Sequence, residues 1–177
     1  MTTNHSRLIA LLSAIIAAAA LRLVPHPPNF SPIGAMALFS GAYFGRKGLA
    51  FVAPLGALLL SDVVLGFYHG MATVYATDLL IVLIGSLALQ RRSPVRIGVA
   101  AIASSVLFFL LTNLGMWLSS GFYPRTFAGL EACFVAAVPF FQNTVAGDLF
   151  YSVLLFGGFK VAEFAVPHLK VGELQPA

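Results

Sequence analysis

Long apolar blocks separated by short polar corners set the pattern of this chain, and the blocks read as helices in a lipid bilayer. They cover residues 8–24, 33–45, 48–66, 71–90, 97–118 and 144–166. The corner Pro25-His26-Pro27-Pro28-Asn29 cannot continue a helix, because prolines remove donors and restrict the residue before them. Gly45-Arg46-Lys47-Gly48, Gly66-Phe67-Tyr68-His69-Gly70 and Ser119-Ser120-Gly121-Phe122-Tyr123-Pro124 are turn-forming in the same way. The block at 33–45 is short for a full crossing. Ala37, Gly41 and Gly45 line it with small residues, which predicts a closely packed or partly re-entrant helix.

Residues 127–141 and 144–166 read either as two crossings or as one crossing preceded by an outer or re-entrant segment. Charge decides between them. Arg46 and Lys47, the Arg91, Arg92 and Arg96 cluster, and Lys160 with Lys170 share the cytoplasmic side only if the chain crosses once after residue 119. The expectation is six transmembrane helices, both termini cytoplasmic, and an extra outer or re-entrant helical segment at 127–141, with Asn143 just after it a candidate cap for the last helix.

Composition agrees with an integral membrane protein. Of 177 residues 59% are hydrophobic and 9% charged, where a soluble domain carries about a quarter charged residues. Six crossings use up the length, leaving a single all-α transmembrane domain over residues 1–177. The net charge of +4 sits at the ends of apolar runs, as topology signals do, and does not point to nucleic acid. The lone Cys133 rules out an internal disulfide and any multi-cysteine metal site.

Under this topology the intramembrane polar residues fall in one leaflet. Arg22 is at the outer end of the first helix, Asp62 at that of the third, Asp78 in the outer half of the fourth, Asn113 at the end of the fifth, and Asn143 and Asp148 at the start of the last. Charges at membrane depth cost about 2.5–3.5 kcal/mol each, so they face a cavity or one another. Convergence at one depth predicts a pocket open to the outside, joined by Asn29 and Trp117 from the outer segments. Each residue also has a structural reading: an Arg22–Asp62 ion pair between helices, Asp78 at the positive end of a helix dipole, and an inner-surface Lys160–Glu163 pair.

His26, His69 and Cys133 are either ordinary loop and core residues or, together in an outer lid, ligands for a soft or borderline metal. Ala10, Ala14 and Ala18 recur every fourth position and give the first helix a small-residue face. It serves packing within the chain or docking to a membrane partner. No Gly-x-Ser-x-Gly elbow, phosphate-binding loop or His-Glu-x-x-His helix is present, so no catalytic signature competes and the chain does not itself harvest ATP.

The small-residue face of the first helix and the Gly-Ala-Tyr-Phe-Gly-Arg-Lys-Gly corner before a span ending in Ser61-Asp62 resemble the S components of energy-coupling factor (ECF) vitamin transporters. The run from Arg22 to Phe39, Thr112-Asn113-Leu-Gly-Met-Trp117 and Pro139-Phe-Phe-Gln-Asn-Thr-Val-Ala-Gly-Asp-Leu-Phe-Tyr151 look like an uncharacterised bacterial membrane family of candidate transport proteins. The resemblance implies an S-component-like bundle in the bacterial inner membrane. It further implies an outward pocket for a vitamin or metal ion, cobalamin among them, and docking through Ala10, Ala14 and Ala18 to a transmembrane coupling subunit with two ATPases. The long outer segment and the lack of a vitamin-specific motif depart from better-known members.

These readings converge on a substrate-binding membrane protein, not an enzyme and without a resident cofactor, that takes up a small polar molecule. Asp62, Asn113, Asn143 and Asp148 form its polar floor, and Arg22 orients an anionic group or neutralises the carboxylates. The rival class is a membrane scaffold whose polar cluster only fixes helix packing. A third reading, a membrane enzyme acting through His26, His69 and Glu131, is the weakest of the three.

Overall fold

A computed structural model describes residues 5–170, and among them every regular element is helical. The elements are α1 (His5–Leu21), α2 (Ile33–Phe44), α3 (Gly48–Leu65), α4 (Met71–Ala88), α5 (Pro94–Ser119), α6 (Phe127–Ser152) and α7 (Gly158–Ala165), with a π turn at Val153–Gly157 and a short 3-10 turn at Pro167–Leu169. Four helical stretches are long and apolar enough to cross a membrane: α3, α4, α5 and the 39-residue run Phe127–Ala165. The remaining two apolar helices, α1 with 17 residues and α2 with 12, are shorter. The all-helical membrane class is as expected, with four candidate spans in place of a uniform six. The chain termini, residues 1–4 and 171–177, lie outside the described residues, and so does any statement about their side of the membrane.

Two boundaries differ from the hydrophobic pattern. α1 ends at Leu21, where Arg22, Leu23 and Val24 close tight turns onto Ala19, Ala20 and Leu21, because Pro25 disfavours the helical conformation just before it. The larger correction concerns 127–141. It is not a separate outer segment but the first part of the last helix, continuous through the π turn to Ala165. Thr126 caps it, its hydroxyl accepting from Gly129 N–H at 3.1 Å. Pro139 and Asn143 lie inside the helix instead of ending it, so Asn143 is not a cap. At about 1.5 Å per residue the run is about 58 Å long, more than the bilayer with its headgroups. The run offers one candidate crossing after residue 119.

The bundle is built around α2. All of Ile33 to Ala42 is buried, and α2 lies against α4 with backbones in contact. A Cβ at Gly41 would run into the Val82 carbonyl and the Ser86 amide, and one at Gly85 into the Leu38 carbonyl. The small-residue face expected on this helix therefore exists for backbone-to-backbone packing, the arrangement that lets helices associate in lipid without a hydrophobic driving force. Ser40 ties α2 to α3, its hydroxyl donating to Ala50 O at 2.7 Å. Around the C-terminal end of α2, Phe39, Tyr43, Phe156 and Phe159 pack ring to ring at centroid distances of 4.6–6.0 Å. Outward-facing Val52, Leu60, Val64, Val99, Val153 and Phe164 are exposed, as suits contact with lipid.

Candidate functional site

Because α2 is too short to cross, its two ends lie inside the protein, and the N-terminal end faces a cavity of about 360 Å³. The loop between α1 and α2 forms one wall. It is shaped by its prolines and by Asn29, which takes the left-handed φ of 63° that asparagine tolerates better than most side chains. Arg22, His26, Asn29, Tyr68, Thr144 and Asp148 line the space, and Asn143 latches the loop from α6, its amide donating to Pro28 O at 2.9 Å.

Asp148 is the carboxylate at the base of this cavity and is only 3% exposed. Ser105 on α5 donates to its Oδ2 at 2.6 Å. Its other face lies against the first turn of α2, where a Cβ at Gly34 would sit 2.5 Å from Asp148 Oδ1. Only glycine at 34 admits the carboxylate this close. The first turn of α2 carries no side-chain cap, since Pro32 precedes it, so an anion there meets unfilled N–H groups and the positive end of the dipole.

Arg22 reaches in from the end of α1. It forms an ion pair with Asp62, Nη1 to Oδ1 at 2.8 Å, with side chains 9% and 0% exposed, and donates to the Ser61 hydroxyl. The contact to Oδ1 is a charge contact off the N–H axis, and that oxygen accepts no directed hydrogen bond. Tyr75 donates to Asp62 Oδ2 at 2.9 Å. Asp62 thus stands behind Arg22 and does not line the cavity. The interhelical ion pair is the reading the structure bears out, and Arg22 carries the pair's positive group into the cavity wall. In the α3–α4 loop, burial, with Asp62 adding to it, pushes the Tyr68 phenol up to about 12, so it remains a neutral donor.

The other candidates separate. Asp78 is fully buried, and neither oxygen has a hydrogen-bond partner; it lies behind the cavity and eight residues into α4, beyond the reach of first-turn capping. Asn113 donates to Phe109 O of its own helix at 2.7 Å and Trp117 to Pro124 O at 3.0 Å. Asn113 borders a different hollow with Cys133. As floor residues, Asp62, Asn113 and Asn143 are therefore corrected. The metal triad is not assembled: His26 lines the first cavity, Cys133 contacts Asn113 O at 3.5 Å, and His69 is exposed in its loop. Among the described residues no group of three His, Cys, Asp or Glu could hold a metal ion.

Ser105, Tyr75, Gly34 and Thr144 belong to the site although the sequence pattern does not mark them out. Hydroxyls inside apolar blocks, such as Ser104-Ser105, are the signal that could have pointed to them. Ala10, Ala14 and Ala18 border an apolar groove of about 360 Å³ that faces Gly158 and Ala162 of α7. The Lys160–Glu163 pair does not form; Glu163 instead binds Arg7 at 2.7 Å. Searches of curated proteins and of solved structures each find no match. The profile of the family of unknown function DUF6580 matches residues 2–169, and the chain belongs to that family.

Proposed function

We propose that this protein is the substrate-binding component of a membrane uptake system for a small polar solute. The observation that carries the reading is the cavity at the N-terminal end of α2, where Arg22, Asp148 and the helix end face one space inside an otherwise apolar bundle. A short buried helix whose N-terminus meets a solute at membrane depth is a recurrent device of transporters. The volume lies at the small end of ligand sites and favours a compact solute over cobalamin. Arg22 and the α2 N-terminus suit an anionic group, and Asp148 a cationic or hydrogen-bond-donating one. The basic residues Arg46, Arg92 and Lys160 gather at the opposite end of α2, in favour of an outward-facing cavity in the inner membrane. Energy would come from partners such as ECF-type subunits, for which the groove beside Ala10, Ala14 and Ala18 is the candidate contact.

Native mass spectrometry of the gently purified protein tests the reading. The wild type should retain a small molecule that Asp148→Ala loses while staying folded; retention unchanged in the variant overturns it. A scaffold role is the second reading, supported by the Arg22–Asp62–Tyr75 network that already ties α1, α3 and α4 together. An empty wild type that Asp148→Asn merely destabilises would favour it.

A further inference from the structure

The C-terminal end of α2 faces a second cavity, of about 530 Å³, between α5 and the last helix at its π turn. Two cations stand at its mouth. Arg92 donates to Ala42 O at 2.9 Å and lies over the Tyr43 ring at 4.5 Å, which engages one of its five N–H donors and leaves the rest of the fork. Lys160 makes no ion pair among the described residues. The one carboxylate in the wall, Glu163, is already neutralised by Arg7. Ser152 supplies the independent sign of a ligand: it is 1% exposed, lines the cavity, and its hydroxyl has no hydrogen-bond partner. Away from the cations the wall is apolar, with Ile97, Leu149, Val153 and Phe156. Val153 is 73% exposed on the outer surface of the bundle, so the cleft opens sideways toward lipid.

We infer that this cleft binds a phosphate-bearing anion, and that the apolar wall assigns it to an anionic phospholipid. The phosphodiester lies between Arg92 and Lys160, and an acyl chain runs along Ile97 and Val153. The two cations and the lateral opening match the basic interhelical pockets that hold lipid headgroups. The site is independent of the outer cavity and stands whichever solute that cavity takes.

The test is native mass spectrometry of the full chain in detergent with added phosphatidylglycerol, phosphatidylcholine or inorganic phosphate. The wild type should retain phosphatidylglycerol over phosphatidylcholine, and Arg92→Gln with Lys160→Gln should weaken that retention about 25-fold, at about fivefold per cation. The control Arg91→Gln with Arg96→Gln removes the same charge from the same region without touching the cleft and should leave retention intact. Equal loss in both double variants, or equal retention of the two lipids, overturns the site. Binding of inorganic phosphate alone, lost in the cleft variant, overturns the lipid assignment and leaves a soluble phosphate as the ligand. Outer-cavity binding, read with Asp148→Ala, is unaffected by any of these outcomes.

Discussion

The two ends of α2 solve one electrostatic problem in opposite ways. A buried helix of 12 residues leaves unfilled N–H groups at one end and unfilled carbonyls at the other, both short of the membrane surface. At the N-terminal end the Asp148 carboxyl group lies against Gly34 in the first turn; at the C-terminal end a cation, Arg92, meets the negative pole through Ala42 O. Each end borders a cavity, but the first is lined largely by the α1–α2 loop with Arg22 and Asp148, and the second by aromatic rings with Arg92, Lys160 and a Glu163 already paired to Arg7. A short central helix thus places two differently lined polar sites inside an apolar protein, one with Arg22 and Asp148 and the other with Arg92 and Lys160.

The comparison depends on α2 staying where it is, so the largest effect should come from its contact with α4. Gly41→Leu should abolish folding, and Gly41→Ala should cost about 3 kcal/mol, because the added atom meets backbone of Val82 and Ser86. Thermal unfolding in detergent reads both; an Ala variant as stable as wild type would mean α2 and α4 are not in backbone contact. Next comes the ion pair beside the N-terminal cavity. Asp62→Ala leaves Arg22 without its carboxylate and should cost about 3–5 kcal/mol, whereas Asp62→Leu with Arg22→Met should recover much of that loss. Tyr75→Phe removes a hydrogen bond to the same carboxylate and should cost about 1.5–3 kcal/mol in the same assay.

Gly34→Ala sharpens the contrast between stability and binding. Its new methyl would collide with Asp148 Oδ1, so solute retention should fall sharply with a modest loss of stability, and an unchanged retention would detach Asp148 from the helix end. The smallest effect belongs to the C-terminal end: Arg92→Gln keeps a donor for Ala42 O but removes the charge, and should lower stability by about 0.3–1 kcal/mol.

Much of this was legible in the chain. The apolar blocks located α3, α4 and α5 within a few residues, the small residues of the second block marked a close helix contact, and Arg22 with Asp62 was a visible candidate pair. The misreading at 127–141 arose because Pro139 and the polar Gln142-Asn143 look like a break, while inside a bundle Asn143 finds Pro28 O and the helix runs on. Equally, Asn113 and Asp148 sit in similar polar steps of apolar helices. Nothing local distinguishes the one that turns back to its own backbone from the one that finds Ser105 across the bundle.

By itself the sequence determined the helical membrane class, the turns, and the end of the molecule toward which each charge lies, because depth along a helix follows from counting residues between corners. Only the tertiary structure decided which polar groups meet. That choice depends on how each helix is rotated about its axis, which is set by close contacts between residues far apart in the chain, such as the Gly41 backbone with that of Val82 and the Gly85 backbone with that of Leu38.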